Sequence, residues 1–191
     1  MAGEEMRVIA GTARSIPLIT PKGSQTRPTA DRIKETLFNM LQPYLYDAVF
    51  ADLFAGSGGI GIEALSRGAA KAVFVDYDRD SLRCIRANLA KTGLEEWASV
   101  IPGDVLAVCR RLEGREYFDI LFIDPPYQAG IEEKLFDFLA LSSIIDEHSL
   151  IILEADSRQQ QLFLERYGFV VEKRKCYGSN QHVFIRKKGR E

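Results

Sequence analysis

The stretch Asp52-Leu53-Phe54-Ala55-Gly56-Ser57-Gly58-Gly59-Ile60-Gly61 decides how the chain is read. An apolar run, Ala48–Leu53, leads into it, and a helical pattern near residues 59–67 leads out. Gly56, Gly58 and Gly61 fit G-x-G-x-x-G at a strand-to-helix turn, where glycine allows a tight bend and a close approach to a ligand. Working outward, the alternation repeats. Strand-like runs rich in Val, Ile, Leu and Phe recur at Ala72–Asp76, Ala98–Ile101, Phe118–Ile123 and Ser149–Leu153. Short, continuously apolar runs suit parallel strands covered on both faces. Helices are expected near 79–92, 105–112, 131–141 and 157–166. The end differs: Phe169–Tyr177, the turn Gly178-Ser179-Asn180 and His182–Arg186 read as an antiparallel hairpin. The expected fold is α/β, a doubly wound, mostly parallel seven-stranded sheet with a C-terminal antiparallel hairpin. Ahead of it, Gly11, Pro17, Pro21, Gly23 and Pro28 punctuate short extended pieces over 6–28. A helix follows from about Thr29 to Leu41. Thr29 suits its cap, Asp31 its positive end, and Ile33, Leu37, Met40 and Leu41 its apolar face. The expected division is a small N-terminal extension, 1–42, and a main domain, 43–191.

The chain has 191 residues, 46% hydrophobic and 27% charged, the balance of a folded soluble protein. No apolar run approaches the ~18 residues needed to cross a bilayer. The N-terminus lacks a basic segment followed by an apolar one, so no signal peptide is expected. Cys84, Cys109 and Cys176 are far apart and odd in number, which argues for a reducing, cytoplasmic setting and against a disulfide framework or zinc site. His148 and His182 have no metal-ligand spacing. The net charge of −2 hides an uneven distribution. Residues 6–34 carry six Lys/Arg against one acid, Asp31, and residues 172–191 carry seven against two, while the middle is acidic. Two basic ends could form one phosphate-binding footprint or two merely solvated surfaces.

In a doubly wound sheet, ligands bind beyond the carboxyl ends of the strands. At the first end, the glycines alone would suit a dinucleotide. Asp52 opposes that, because a carboxylate there repels a pyrophosphate at the helix N-terminus. S-adenosylmethionine has no phosphate, and its ammonium and sulfonium attract a carboxylate. Phe54 and Ala55 belong to the same turn. At the second end, Asp76 can accept two hydrogen bonds from a ribose diol, and Tyr77 can lie against adenine. At the third, Asp104 can accept from an adenine amine or cap the next helix, with Val105 beside it.

The fourth end delivers Asp124-Pro125-Pro126-Tyr127, the most specific signal. An exocyclic amine of a base is a poor nucleophile because its lone pair is delocalised into the ring. The Asp124 carboxylate and the Pro125 carbonyl can bind its two N–H groups and orient the nitrogen towards a methyl donor. The prolines stiffen the turn, and Tyr127 offers a face for stacking. The plain alternative is an ordinary turn ending a buried strand.

With these residues in place, the chain resembles class I S-adenosylmethionine-dependent methyltransferases of Rossmann-like fold. More closely, it resembles the RsmD-type family, bacterial enzymes that methylate the N2 amine of a guanine in 16S ribosomal RNA. The likeness runs through Arg7-Val8-Ile9-Ala10-Gly11, Thr26-Arg27-Pro28-Thr29 with Asp31-Arg32, and Leu37-Phe38-Asn39. It continues through the glycine stretch, Gly61-Ile62-Glu63-Ala64-Leu65-Ser66-Arg67-Gly68, Asp124–Tyr127 and Tyr177-Gly178. The family usually has Arg-Gly where this chain has Arg14-Ser15, and Thr more often than Asn180. The resemblance implies S-adenosylmethionine as cofactor and 16S rRNA within the small ribosomal subunit, or an assembly intermediate, as partner. It implies rRNA processing by a cytoplasmic monomer with no membrane partner. Arg7, Arg14, Arg27 and Arg32, with the C-terminal basic cluster, are the expected RNA contacts. The competing reading is a DNA adenine-N6 or cytosine-N4 methyltransferase, opposed by the lack of a target-recognition domain of ~100 residues. A nicotinamide oxidoreductase is opposed by Asp52 and the D-P-P-Y turn. A non-catalytic RNA-binding protein on the same fold is opposed by the intact Asp124–Tyr127 motif.

Overall fold

A computed structural model describes residues 6–21, 29–126 and 130–189. Expectations placed on Gly23, Thr26, Arg27, Pro28, Tyr127 and Arg190, and on the Thr29 side chain, lie outside the described residues. Seven strands form one sheet: β1 (Val49–Leu53), β2 (Lys71–Asp76), β3 (Ala98–Pro102), β4 (Ile120–Ile123), β5 (Leu150–Asp156), β6 (Phe169–Tyr177) and β7 (Asn180–Lys187). Their order is β3-β2-β1-β4-β5-β7-β6. The first five are parallel, and β7 pairs antiparallel with both β5 and β6. The helices are α1 (Thr29–Leu45), α2 (Gly59–Ser66), α3 (Arg79–Thr92), α4 (Val105–Leu112), α5 (Ile131–Leu141) and α6 (Phe163–Arg166).

The register explains why the strands read as continuous apolar runs. Phe74, Asp52, Phe122 and Ile152 align in one row, and Val75, Leu53, Ile123 and Leu153 in the next. Successive rows face opposite sides of the sheet. The first face packs on α1, α2, α3 and the N-terminal segment through residues such as Phe38, Ile62, Ile85 and Val8. The second packs on α4, α5 and α6 through Val108, Phe136 and Leu164.

Several boundaries depart from the sequence expectation: β5 runs past Leu153 to Asp156 and β7 starts at Asn180, because these residues pair with one another, and three further differences have local causes. Helix α1 runs four residues past Leu41, carrying Pro43 in its last turn. Pro43 removes an N–H from the ladder, but Leu45 is fully buried, and its burial offsets that loss. The helix expected over 157–166 shrinks to Phe163–Arg166. There the hairpin claims the backbone instead: Ser157 N–H bonds the Ser179 carbonyl, and Gln181 Nε2 donates to the carbonyls of Asp156 and Gln159. The strand expected from Phe118 starts at Ile120, because Phe118 N–H bonds Ile144 and Asp119 Oδ2 accepts the first N–H of β1 at 2.7 Å.

The N-terminal segment is tied to the sheet-covering helices. Arg7 bridges to Pro17, and Val8, Ala13 and Leu18 are buried. Glu63 of α2, with no exposed surface, accepts N–H bonds from Ile9 at 2.8 Å and Ala10 at 3.0 Å. The same carboxylate pairs with Lys34 of α1 at 3.3 Å and Arg67 at 2.7 Å. Ser66 accepts from Ala13 N–H and donates to the Ala10 carbonyl. Ser15 at the tip has φ +67°, in the left-handed region that only glycine enters without strain. This is the position where the resembling family carries glycine. Ser15→Gly should therefore raise the melting temperature by a few degrees, for a gain of about 0.5–1 kcal/mol. A fall in melting temperature would show that the Ser15 side chain is favourable where it stands.

Candidate active site

The pairings Leu53↔Val75, Leu53↔Ile123 and Ile123↔Leu153 bring together Asp76 at the end of β2, Phe54 and Asp124 just after β1 and β4, and Glu154 within β5, with His182 of β7 opposite Glu154. The carboxyl ends of four neighbouring parallel strands thus present three acids on one edge. Each is placed by the residue count of its own strand.

The glycine turn is built from the sheet outward. Phe54, Gly56 and Gly58 have φ of +66°, +56° and +77°. Gly58 precedes α2, and a Cβ at Gly61 would lie 2.4 Å from the Phe74 ring, so the helix packs flat on β2. A Cβ at Gly56 would meet nothing within 4 Å, so its backbone borders open space. Ala55 and Val105 are buried beside it. Asp52 is only 2% exposed, and its Oδ2 accepts the Gly61 N–H at 2.8 Å. The chain's own carboxylate therefore fills the anion position at the N-terminus of α2 that a pyrophosphate would need. Asp52 lies beneath the loop rather than at its surface. Burial first, and then Asp76, push its carboxyl up to about 7, against the pull of the Gly61 bond.

Asp76 is 7% exposed and accepts the Gly56 N–H through Oδ2 and the Asp78 N–H through Oδ1, both at 2.8 Å. Each oxygen keeps a further lone pair for a diol. Tyr77 is 67% exposed beside it. Asp104 caps α4, accepting the Ala107 N–H at 2.9 Å, and remains at the surface. Gly56, Asp76, Tyr77 and Asp104 thus share one edge, at the carboxyl ends of β1, β2 and β3. Its open glycine backbone, ribose-type acceptors and exposed aromatic fit an adenosine without phosphates, so S-adenosylmethionine fits the residues present.

At the ends of β4 and β5, a cleft of about 510 Å³ is lined by Asp124, Pro125, Glu132, Glu154, Asp156 and Phe163, among others. Asp124 is exposed to the open cleft, with the Glu154 and Asp52 carboxylates and the cleft walls around its carboxyl. Desolvation, then Glu154 and Asp52, push it up to about 8. Glu154 behaves oppositely. Burial alone would raise it, but His182 and Asn180 outweigh burial and hold it below the usual range. Asn180 Nδ2 donates to Glu154 Oε1 at 3.1 Å, and His182 Nε2 lies 3.4 Å from Oε2. His182 is 2% exposed and meets the Tyr177 and Phe122 rings edge-on.

Sequence reasoning missed this Glu154–His182–Asn180 group. The signal was present: an acid directly follows the fifth strand-like run, as Asp124 follows the fourth and as Asp76 closes the second. His182 was visible only as a histidine without metal spacing, because its partner lies across the sheet.

The expected RNA contacts separate. Arg32 stands in the first turn of α1, and Arg7, which follows Met6 whose Sδ accepts from Ser57 Oγ of the glycine turn at 3.3 Å, pairs with Asp31 at 3.0 Å. Arg14 lies by Ser66 at the far end of α2, about 10 Å along that helix from the glycine turn. The C-terminal cluster is also divided. Lys173, Arg174 and Lys175 run towards the site edge, whereas Arg186 and Lys187 lie at the opposite end of β7. Arg174 reaches Gln161 and Gln181, and Arg186 pairs with Glu172 and covers Tyr44.

Comparison with known proteins follows this geometry. The family described as Conserved hypothetical protein 95 matches residues 6–186. The chain is 34% identical to Ribosomal RNA small subunit methyltransferase D of Haemophilus influenzae, over 88% of each chain. It is 36% identical to the protein of the same name from Escherichia coli, over 80% of this chain and 75% of that one. The solved structure of yhhF from Escherichia coli superposes with a TM-score of 0.82 at 30% identity, covering 97% of this chain and 99% of that one.

Proposed function

The chain belongs to the RsmD-type methyltransferase family, and from that premise we propose that it methylates the exocyclic N2 amine of a guanine in 16S ribosomal RNA, using S-adenosylmethionine. The observation that carries the reading is the Asp124-Pro125 turn at the end of β4, opening into a cleft beside the glycine turn. When bound, S-adenosylmethionine supplies an electrophilic methyl on a sulfonium. Asp76 and Asp104 hold the ribose and adenine, Gly56 keeps the approach open, Gly58 lets the turn pack on Ile85 at positive φ, and Tyr77 covers the adenine. Phe54, Ala55 and Val105 shape the walls, and Asp52 acts from below by fixing the turn through Gly61.

Asp124 and the Pro125 carbonyl accept the two N–H groups of the amine and aim its lone pair. Pro126 stiffens the turn, and Tyr127 stacks on the base. The base must leave its stack to enter, at a cost of a few kcal/mol, so a target already exposed in folded RNA is favoured over duplex DNA. The acids lining the cleft repel phosphate. They admit a base and leave the nucleic-acid backbone to the basic residues at the rim.

Two outcomes follow. The ionised form of Asp124 is the stronger acceptor, and desolvation with the neighbouring Glu154 and Asp52 pushes its carboxyl up to about 8. Transfer should rise with pH through that value as Asp124 ionises beside an already charged Glu154; a flat kcat/KM between about pH 6 and 9 would contradict the role. In the second, Arg32→Glu should weaken RNA binding and reduce the salt slope by about one, leaving cofactor affinity intact. Arg14→Glu, at the far end of α2, should change the slope less. Equal effects from both would place the RNA elsewhere.

The substrate class is tested with labelled S-adenosylmethionine offered to unmodified small-subunit particles, naked 16S RNA and duplex DNA. Label in the ribosomal RNA supports the reading, with particles the favoured form. Label confined to DNA would make this an adenine or cytosine amine methyltransferase instead.

A further inference from the structure

We propose that Glu154 distinguishes guanine from the other amine-bearing bases, by accepting the ring N1–H that lies beside the reacting N2 amine. The proposal rests on the guanine-N2 reading above and goes beyond it by assigning the residue that reads the base.

Guanine is the one base whose exocyclic amine neighbours a ring N–H donor; adenine and cytosine place a ring acceptor next to theirs. A pocket for guanine therefore needs two acceptors side by side, one for the amine and one for N1–H. The pairing Ile123↔Leu153 brings Asp124, the residue after Ile123, next to Glu154, the residue after Leu153, and Glu154 is the acid that acts most strongly on the Asp124 carboxyl. Both line the cleft.

Glu154 is also built to stay put and stay charged. Asn180 Nδ2 holds Oε1 at 3.1 Å, and His182 lies 3.4 Å from Oε2. Each oxygen retains a second lone pair, and the side chain keeps 26% exposure. His182 in turn is wedged between the edges of Phe122 and Tyr177 and is 2% exposed. These neighbours hold Glu154 below the usual carboxylate range, so the acceptor is ionised. A ring acceptor brought against it meets a lone pair and strips water from the carboxylate without replacing the bond. Adenine and cytosine are thus rejected by repulsion as well as by a missing contact.

The probe is 2-aminopurine, which keeps the 2-amino group but has an acceptor at N1. Small-subunit particles are reconstituted with guanine or 2-aminopurine at the methylated position. The wild-type protein should prefer guanine in kcat/KM by about 10²-fold or more. In Glu154→Gln the amide can donate to a ring acceptor, and the guanine-to-2-aminopurine ratio should shrink by about 10–100-fold. Asn180→Ala, which frees one side of Glu154, should move the ratio in the same direction by less. S-adenosylmethionine binding to both variants, measured by calorimetry, reports that they are folded. Wild-type ratios in both folded variants would overturn the proposal and leave Glu154 as a structural partner of His182. Failure of the wild-type protein to methylate guanine in any particle would instead overturn the reading on which it rests.

Discussion

Asp124→Ala should fold, bind S-adenosylmethionine, and transfer methyl groups about 10²–10³ times more slowly than the wild type, the scale for losing one preorganised polar group. The loss should fall on kcat, because the contact strengthens as the amine nitrogen becomes positive. Asp124→Asn should lose less: its amide oxygen still accepts one hydrogen bond, without the charge. The same substitution should abolish the limb of the pH profile near 8, since Asp124 is the group pushed there by burial and by Glu154 and Asp52. An Asp124→Ala protein that binds cofactor and reacts at the wild-type rate would refute the mechanism.

The second large effect is on stability. Glu63→Ala should cost about 3–5 kcal/mol, because it strands Lys34 and Arg67 without a counter-ion and leaves two backbone N–H groups unpaired. For a chain of this size the melting temperature should fall by roughly 6–20 °C. Glu63→Gln should fall between, since it keeps acceptor capacity but not the charge. The carboxylate joins α1, α2 and the N-terminal segment, so the segment carrying Arg7 should loosen first, visible as faster amide exchange at Ile9 and Ala10. A loss below about 1 kcal/mol would mean that the two cations find other partners.

This clamp shows what the sequence does and does not make legible. The alternation from Ala48 onward could be read because parallel strands covered on both faces leave unbroken apolar runs. The ends of β1 to β4 could be read because strand length alone places Asp52, Asp76 and Asp124 at one edge. Glu63 was visible only inside a resembling block, since all its partners lie far along the chain, Ile9 and Ala10 at 54 and 53 residues and Lys34 before α2, except Arg67. The depth of Asp52 was equally hidden: the residue after a strand can sit on a turn or beneath it, and the Gly61 N–H decides. Glu154 and His182 became a pair only through the antiparallel return of β7, which carries no local pattern. The basic ends illustrate the limit of charge counting. Seven cations in twenty residues looked like one patch, but a hairpin sends Lys175 and Lys187 to opposite ends of the sheet.

The most direct test of the central claim is the identity of the methylated atom. Unmodified small-subunit particles are incubated with the protein and isotopically labelled S-adenosylmethionine, the 16S RNA is digested to nucleosides, and the labelled product is identified by mass spectrometry against standards. The account predicts one labelled nucleoside, N2-methylguanosine, absent when Asp124→Ala is used for the same short reaction time. A label on an adenine or cytosine amine, on a ring carbon or on a ribose hydroxyl would contradict it.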